Sequence, residues 1–366
     1  MSQTKINIVL FGNGNVGSAL INQIIEKHDF FIGKKNINLQ FPIIANSQKA
    51  LFNKKGLSKL EIDSFDKLSN NYKIQEILDF TKNNELENLI AIDATASEEF
   101  VKNYILLIQS GFHLVAANKK ANTLSQDFYK ELRINLKNYN KNFYYETNVG
   151  AALPIIKTIQ DLYFSGDTIT KIRGVFSGTL SYIFNRFSNE TNSFSEILVD
   201  AEKLGLTEPD SREDLSGNDV GRKLLILARE LNLELEFSDI SISSLLLPNL
   251  NENNTLEEYH KNKKQFDKPF EIAKITQPGT HVLRYIGEID FETKKIEVKL
   301  VSEPQDSPIG QLKGADNIFE IYTKTYGEIP IVIQGAGAGK NVTARGVLND
   351  ILQISEKIKI QELVWI

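Results

Sequence analysis

The sequence predicts an α/β protein with a doubly wound parallel sheet in its first 150 residues and an α+β second part. Short apolar runs alternate with helix-like stretches, a glycine-rich turn follows the first run, and the pattern changes near Pro154. Beyond that point, segments 295–303 and 317–326 are typical of antiparallel strands. Strands that alternate with helices form βαβ units, which build a parallel sheet covered on both faces.

Composition excludes several classes of protein. The chain has 366 residues, too many for one ordinary core, and a formal net charge of −5, which argues against nucleic acid or an anionic membrane as the main partner. No apolar run approaches the roughly 18 residues of a membrane span. There is no cysteine, and the four histidines are scattered. Residues 1–5 lead directly into a strand-like run, so we expect no signal peptide and a cytoplasmic protein.

The predicted elements divide the chain into three parts. We assign residues 1–153 to a dinucleotide-binding domain, 154–330 to a second domain, and 331–366 to a C-terminal segment whose helix returns to the first domain. The polar stretch 249–265 is predicted to be a surface excursion. Buried parallel strands are predicted at 6–11, 39–45, 89–95, 113–118 and 143–149, and helices at 16–27, 98–110, 124–138 and 181–187.

The glycine turn at residues 12–17 has the spacing of a dinucleotide-binding (Rossmann) fingerprint. It lies between a predicted strand and a predicted helix, so a pyrophosphate would face the helix N-terminus. The alternative is a turn in which the glycines serve packing alone. The residues of this turn that we expect to contact a cofactor are Gly12, Asn13, Gly14, Asn15, Val16 and Gly17.

The end of the second strand bears on which cofactor is used. An NAD-preferring fold usually carries an acid there, on the ribose hydroxyls. This strand ends at Ala45 and is followed by Asn46 and, three residues later, Lys49. No acid is present to repel a 2′-phosphate, and Lys49 is placed to attract one, so we predict NADP(H) rather than NAD(H). A solvated surface lysine is the alternative.

The acidic segment (residues 206–224) carries five carboxylates and three basic side chains. Asp219 and Lys223 are four residues apart, so a helix places them on one face, where an ammonium and a carboxylate can shift each other's pKa. The alternative is a surface ion pair on a helix capped by Ser216. The crowded carboxylates require a cation, which is either a substrate ammonium or the neighbouring Arg212 and Arg222.

Three other features carry weaker signals. Lys119 follows a strand at the ligand edge of the predicted sheet, or else forms a surface charge pair with Lys120. The turn at 146–154 can direct several carbonyls at a hard cation, or is only a turn. Gly335, Gly337 and Gly339 either approach the nicotinamide or serve packing.

Taken together, these motifs resemble the homoserine dehydrogenase family, most of all the dehydrogenase portion of the bifunctional aspartokinase–homoserine dehydrogenases. The resemblance implies NAD(P)H-dependent reduction of L-aspartate 4-semialdehyde to L-homoserine by a homodimer. No kinase or ACT-type regulatory domain is recognised, so threonine feedback through such a domain is not expected. The stretches that carry the resemblance are FGNGNVGSAL, IIANSQKALFNKKGL, GFHLVAANKKANT, YYETNVGAALPII, FSGTLSYIFN, GLTEPDSREDLSGNDVGRKLLILARE and IQGAGAGKNVTA.

The resemblance also implies roles for single residues. Lys223, paired with Asp219, corresponds to the catalytic acid/base, and Lys119 to a second active-site lysine between cofactor and substrate. Other correspondences are Glu208 to the carboxylate that holds the substrate amino group, Thr179 and Asp214 to the same pocket, Asn13, Val16, Asn46, Thr95 and Gly339 to cofactor contacts, and Glu146, Val149, Ala151 and Leu153 to a sodium site formed by backbone carbonyls.

The chain departs from the family pattern at three positions. Leu206 replaces a common tyrosine, which puts one substrate-side hydrogen bond in doubt, and Ser211 replaces a common proline. Gly221 replaces a common alanine and is expected to lower the stability of the helix that carries Lys223 by about 0.5–1 kcal/mol. Two other functions stay open: another NADP-dependent oxidoreductase of a small amino acid or aldehyde, and a non-catalytic dinucleotide-binding protein. The presence of Lys119, Asp219 and Lys223 argues against the latter.

Overall fold

The computed structural model describes residues 3–251 and 253–364. The chain forms two compact units, one made of the residues up to Ala152 together with those from Gly339 onward, and one made of Leu153–Ala338. Throughout these described ranges, no helix is both long enough and apolar enough to cross a membrane.

The first unit is built on a seven-stranded sheet with the order β4-β3-β2-β1-β5-β6-β7. Five of these strands are parallel, while β3 and β4 add an antiparallel edge. The chain reverses direction across the sheet at β1, as doubly wound folds do where they bind ligands. The strands are β1 (Thr4–Phe11), β2 (Ile37–Ala45), β3 (Lys49–Phe52), β4 (Asn70–Asn71), β5 (Leu89–Asp93), β6 (His113–Ala116) and β7 (Phe143–Tyr144).

The helices of this unit connect the strands and cover the sheet. Numbered in chain order, they are α1 (Asn15–Glu26), α2 (His28–Phe30), α3 (Lys59–Asp63), α4 (Phe65–Leu68), α5 (Ile74–Asn83), α6 (Glu98–Val101), α7 (Tyr104–Gln109), α8 (Lys120–Thr123), α9 (Gln126–Asn138), α10 (Thr147–Gly150) and, near the end of the chain, α19 (Lys340–Val364), with a π-helical turn at Phe31–Lys35.

Helix α19 packs against α1 in the core of the first unit. Its buried Leu348 and Ile351 join the apolar side chains of β1. A methyl group on Gly346 would lie 2.6 Å from the carbonyl oxygen of Ala151, so the helix backbone approaches the turn at α10 closely. The sequence predicts this return of the last helix correctly. It does not predict β3 and β4.

The second unit contains a six-stranded sheet with the order β13-β12-β8-β10-β11-β9, antiparallel except for the β9–β11 pair. Helices α12 and α15 pack on this sheet. The strands are β8 (Ile169–Val175), β9 (Ser241–Ile242), β10 (His281–Asp290), β11 (Lys295–Pro304), β12 (Asp316–Thr323) and β13 (Ile331–Ala336). The helices are α11 (Ile155–Phe164), α12 (Gly178–Asn189), α13 (Phe194–Lys203), α14 (Arg212–Ser216), α15 (Asn218–Glu230), α16 (Leu256–Asn262), α17 (Asp267–Ile275) and α18 (Pro308–Gln311), with 3-10 turns at Phe237–Asp239 and Lys263–Phe266.

The structure corrects three sequence-based expectations. The predicted strand 143–149 ends at Tyr144, because the chain turns into α10. The predicted helix 98–110 is two helices, α6 and α7. Residues 331–338, which we assigned to the C-terminal segment, belong to the second unit, because β13 pairs along its whole length with β12.

The stretch 249–265 is more than a surface excursion. Tyr259 and Lys263 are buried within it, and Lys263 forms an ion pair with Glu202. Arg212 of the acidic segment donates hydrogen bonds to the carbonyl oxygens of Asn251 (2.9 Å) and Asn254 (2.7 Å). The polar composition of this stretch conceals the buried positions, because the charged Lys263 is paired inside the fold.

Candidate active site

The glycine turn joins β1 to α1 at the carboxyl edge of the first sheet. The Gly12 amide donates to the carbonyl oxygen of Ala45, at the end of β2, over 2.8 Å. A methyl group on Gly17 would lie 2.0 Å from the Gly12 carbonyl oxygen, so α1 rests directly on the turn. A methyl group on Gly14 would meet no atom within 4 Å. The turn therefore has glycine for packing at Gly17 and open space at Gly14.

The carboxyl ends of β5 and β6 are joined by a buried network that the sequence analysis missed. The carboxylate of Asp93 accepts hydrogen bonds from the Tyr104 hydroxyl (2.7 Å), the Asn118 amide (2.9 Å) and the Thr95 backbone N–H (2.8 Å). Burial raises the pKa of Asp93. Because Asn118 immediately precedes Lys119, this network fixes the point at which the half-buried Lys119 leaves the sheet. The sequence does contain one sign of this network, because polar residues stand at the ends of two apolar strands.

The residues after β2 form a closed turn. The side-chain oxygen of Asn46 accepts the backbone N–H groups of Gln48 (2.9 Å) and Lys49 (2.7 Å), and the Tyr72 hydroxyl donates to the Asn46 carbonyl (3.1 Å). The structure thus gives Asn46 a turn-forming role, and Lys49 begins β3 half-buried.

The start of α19 lies beside α1. The Gln23 side chain donates to the carbonyl oxygen of Asn341 over 2.9 Å. Gly339, just before the helix, has φ +111°, a conformation that side chains rarely adopt. The first unit therefore brings the end of the chain to the helix that follows the glycine turn.

In the second unit, Lys223 is a buried ammonium with two identified partners. It lies on α15, is 7% exposed, and has its Nζ atom 2.9 Å from Asp219 Oδ2. The same Nζ donates to the carbonyl oxygen of Phe176 over 2.7 Å. The pair is thus unlike an ordinary surface ion pair, because burial of the lysine strengthens its electrostatic interactions.

The start of α15 differs from the predicted capping arrangement. The residue before the helix is Gly217, with φ +77°, and Ser216 instead donates to the Glu213 carbonyl over 2.7 Å. Gly221 also has a packing reason that the sequence analysis did not foresee. A methyl group there would lie 2.7 Å from Ile242 Cδ1, so the glycine lets α15 approach β9 closely.

Three of the five acids in the acidic segment, Glu208, Asp214 and Asp219, lie close enough for their charges to interact. Asp214 accepts the backbone N–H of Glu208 over 2.9 Å. Burial raises the pKa of Asp214 to about 6, and the charges of Glu208 and Asp219 contribute, while hydrogen bonds from Glu208 N–H and the Thr179 side chain partly offset the rise. The single Thr179 hydroxyl hydrogen can donate either to Asp214 or to the Leu206 carbonyl.

The other two acids are outside this cluster. Asp210 forms a forked ion pair with Arg212, with separations of 2.6 to 3.0 Å, and Glu213 is exposed. Both explanations for the carboxylate density therefore apply, each to part of the segment. Arg212 neutralises Asp210, and the cluster of Glu208, Asp214 and Asp219 has surplus negative charge suited to a cation beside Lys223.

The raised pKa of Asp214 predicts a pH-dependent stability. The folded state binds this proton more tightly than the unfolded chain, whose aspartate pKa is about 3.9. The free energy of unfolding contributed by Asp214 should therefore fall as pH rises from about 4 to about 6, and then stay level. Relative to wild type, Asp214→Asn should gain stability across that window, as measured by urea unfolding without ligands.

Asp210→Asn is the matched control. The hydrogen bond with Arg212 lowers the pKa of Asp210, so its stabilising effect is lost only as pH falls below about 4. Parallel pH curves for wild type and Asp214→Asn between pH 4 and 6 would contradict the assignment.

The turn at residues 146–151 has features that suit a cation. Glu146 and Asp350 are both buried, and the Glu146 N–H donates to Asp350 Oδ2 over 3.0 Å. Burial and the neighbouring Glu146 carboxylate raise the pKa of Asp350 well above its ordinary value. Ala151 has φ +54°, so the backbone changes direction at this residue. Two buried carboxyl groups need a proton or a cation between them. Leu153, the fourth expected ligand, is the first residue of the second unit.

Comparison with known proteins finds matches over both halves of the chain. A family model described as homoserine dehydrogenase, NAD binding domain, matches residues 12–146, and the homoserine dehydrogenase model matches residues 154–352. The homoserine dehydrogenase of Saccharomyces cerevisiae is 35% identical, covering 98% of this chain and 100% of that protein. The bifunctional aspartokinase/homoserine dehydrogenase of Buchnera aphidicola is 39% identical over 96% of this chain, which spans 43% of that relative's length.

Solved structures share the fold. A protein of unknown function from Candida auris has a TM-score of 0.88 with 31% identity, over 97% of this chain and 99% of that one. A hyperthermophilic archaeal homoserine dehydrogenase in complex with NADPH has a TM-score of 0.72 with 24% identity, over 97% and 98%. With two family models that together cover most of the sequence and a full-length relative at 35% identity, the chain belongs to the homoserine dehydrogenase family of oxidoreductases.

Proposed function

We propose that this protein catalyses the NADPH-dependent reduction of L-aspartate 4-semialdehyde to L-homoserine. One observation carries the proposal: the buried Lys223 is paired with Asp219, next to a carboxylate cluster with surplus negative charge. An amino-acid aldehyde needs these two things, a proton donor for its oxygen and an acidic pocket for its ammonium.

In this proposal the first unit binds the cofactor and the second unit binds the substrate. In the first unit, the open space at Gly14 and the N-terminus of α1 suit a pyrophosphate, and Lys119 leaves the same sheet edge. In the second, Glu208 and Asp214 would bind the substrate ammonium, and Thr179 holds the carbonyl of Leu206 beside them. The side chain of Leu206 cannot offer the hydroxyl of the common tyrosine, so the carboxylates carry more of the selectivity.

Lys223 would act as the general acid. When bound, the nicotinamide cofactor supplies the hydride that reduces the aldehyde carbon. Lys223 then gives a proton to the carbonyl oxygen, so the product is the alcohol, and Asp219 keeps the ammonium oriented. By the family resemblance, Lys119 would supply a second positive charge to the reaction.

The proposal is tested by assaying the purified protein at 340 nm with L-aspartate 4-semialdehyde and NADPH, and in reverse with L-homoserine and NADP⁺. The expected result is turnover with these substrates and at most slow turnover with serine or with 2-hydroxy acids that lack an amino group. Cofactor binding without turnover would favour a non-catalytic role, and faster turnover of another substrate would favour a different oxidoreductase.

A preference for NADPH is supported by the end of β2. The side chain of Asn46 accepts hydrogen bonds from the backbone of its own turn, residues 46–48 include no acid, and Lys49 follows. Lys49→Glu should lower the ratio of kcat/KM for NADPH over that for NADH by about tenfold, because a charge reversal replaces attraction of the 2′-phosphate by repulsion. Lys54→Glu makes the same charge change at an exposed site and should leave the ratio unchanged. An equal ratio in both variants would refute the role of Lys49.

A sodium ion at the 146–153 turn is supported by the buried Glu146 and Asp350. Carbonyl oxygens of Glu146, Val149, Ala151 and Leu153 would hold it, and its charge would offset those carboxylates. We expect the melting temperature to rise by a few degrees when sodium chloride replaces choline chloride at constant ionic strength. Asp350→Asn should reduce that rise, and an equal rise in both proteins would contradict the site.

Assembly and location are further parts of the proposal. We infer a homodimer formed through the second sheet on the family resemblance, and a cytoplasmic location on the composition and the expected lack of a signal peptide. Light scattering coupled to size exclusion tests the former, and cell fractionation the latter.

A further inference from the structure

The carbonyl oxygen of Phe176 accepts two buried donors. Phe176 comes directly after β8 and is itself 0% exposed. Its oxygen accepts Lys223 Nζ at 2.7 Å and the side-chain amide Nδ2 of Asn317 at 3.0 Å. A backbone carbonyl has two lone pairs, so both bonds can form together and each constrains the direction of the other.

The side chain of Asn317 donates to the Phe176 carbonyl from a fully buried position. It lies on β12, is 0% exposed, and its Oδ1 atom is buried without a hydrogen-bond partner among the described residues. Rotating the amide by 180° would put Oδ1 against the Phe176 oxygen, so the orientation is fixed. A buried acceptor without a partner is unfavourable, and an apolar residue of the same size would avoid it. Local stability therefore does not explain an asparagine here.

The residue that follows β13 by one position, Gly337, lies against the same amide. A methyl group on Gly337 would lie 2.0 Å from Asn317 Nδ2, 2.1 Å from its Cγ and 2.7 Å from its Cβ. These are its three nearest atoms, and Gly337 does not have the left-handed φ that only glycine adopts readily. Of the two roles left open for the late glycines, packing is thus the one that Gly337 fulfils: it leaves room for Asn317.

We propose that Asn317 is a positioning residue for Lys223, acting through the Phe176 carbonyl, with Gly337 keeping its place. This inference rests on the proposed function, in which Lys223 donates the proton. The amide holds the carbonyl toward the ammonium, so that Lys223 keeps the direction required for proton transfer.

The first test is Asn317→Leu, which keeps the number and branching of the side-chain heavy atoms and removes both the donor and the unpartnered acceptor. We expect the melting temperature to stay the same or rise, kcat to fall about tenfold, and NADPH binding and the KM for the aldehyde to stay within about twofold. The hydrogen bond that Lys223 donates to the Phe176 carbonyl favours the charged form of the lysine. With that bond loosened, the alkaline limb of the pH profile of kcat should move to lower pH, although Asp219 is unchanged.

A merely structural role would move stability and leave the pH profile alone. Ser188→Ala serves as the control, because it removes a side-chain bond to the backbone of Leu283 in the same unit. It should lower the melting temperature and leave kcat unchanged. If folded Asn317→Leu keeps both the wild-type kcat and the wild-type alkaline limb, the inference is wrong.

A double-mutant cycle covers the case in which Asn317→Leu does not fold. Gly337→Ala and Asn317→Gly should each lower kcat about tenfold, and the double variant should be no slower than either. A fall of about a hundredfold in the double variant, or wild-type kcat in Gly337→Ala, would overturn the inference. If the wild-type protein itself has no turnover, the proposed function fails; if wild type turns over and these variants match it, the inference alone fails.

Discussion

Replacing Lys223 by methionine should lower kcat for aldehyde reduction by about 10²–10⁴-fold, the range typical of a lost general acid. Methionine is close to lysine in length, so the packing of α15 is retained. The side chain of Asp219 is 44% exposed, so water can solvate its carboxylate when the ion pair is lost. The variant should therefore still fold. NADPH binds to the first unit in our proposal, and its dissociation constant should be unchanged in a fluorescence titration.

Arg222→Met is the matched control for this substitution. Arg222 is the preceding residue on α15, and its guanidinium lies 5.5 Å from the centre of the Phe237 ring. Losing that cation should leave kcat within about twofold of wild type. If Lys223→Met is folded, binds NADPH and still has near-normal kcat, the proton comes from another group, and Lys119 would be the next residue to replace.

The second large effect is expected at the glycine turn. Gly17→Ala should weaken NADPH binding by at least about a hundredfold, because its methyl group would lie 2.0 Å from the backbone oxygen of Gly12. Neither atom belongs to a flexible side chain, so α1 must move off the turn, and the phosphate site moves with it. Isothermal titration with NADPH measures the change.

Gly14→Ala separates packing from ligand approach at the same turn. Its methyl group would meet no protein atom within 4 Å, so the melting temperature should be unchanged while NADPH binding weakens about tenfold. Gly33→Ala, also without neighbours within 4 Å, should change neither property. Equal NADPH affinity in wild type and Gly17→Ala would show that the turn does not bind the cofactor.

The parts of the fold that follow from local periodicity were predictable. The parallel strands and the last helix have apolar patterns that identify them, and the fold class is confirmed. The edge strands β3 and β4 were missed, because they are short and β4 consists of two exposed asparagines. The strand expected at 143–149 was overestimated, because nothing in the sequence marks where the chain leaves the sheet and enters α10, whose residues are also buried.

The candidate site was predictable where charge and spacing are visible in sequence. The pair Asp219–Lys223 depends on helical spacing, and the structure forms it. What could not be foreseen are partners that act through the backbone or from distant strands. The Phe176 carbonyl has no sequence signature, and Asn317 is 141 residues away from it. The division of the acids between Arg212 and the cluster also depends on which way each side chain turns.

The attachment of Arg212 to the stretch 249–265 has a consequence for sequence variation. Its two acceptors there are the main-chain oxygens of Asn251 and Asn254, which any amino acid would provide. A substitution at either position would keep both acceptors and lose only local side-chain bonds, such as those of Asn251 to the Pro248 carbonyl and of Asn254 to the Asn251 N–H. An added or deleted residue would instead shift both oxygens and pull on Asp210 and the pocket acids behind it. For the contact with Arg212, the length of this stretch therefore matters more than the identity of the two residues that supply the oxygens, whereas the buried Tyr259 and Lys263 depend on their side chains.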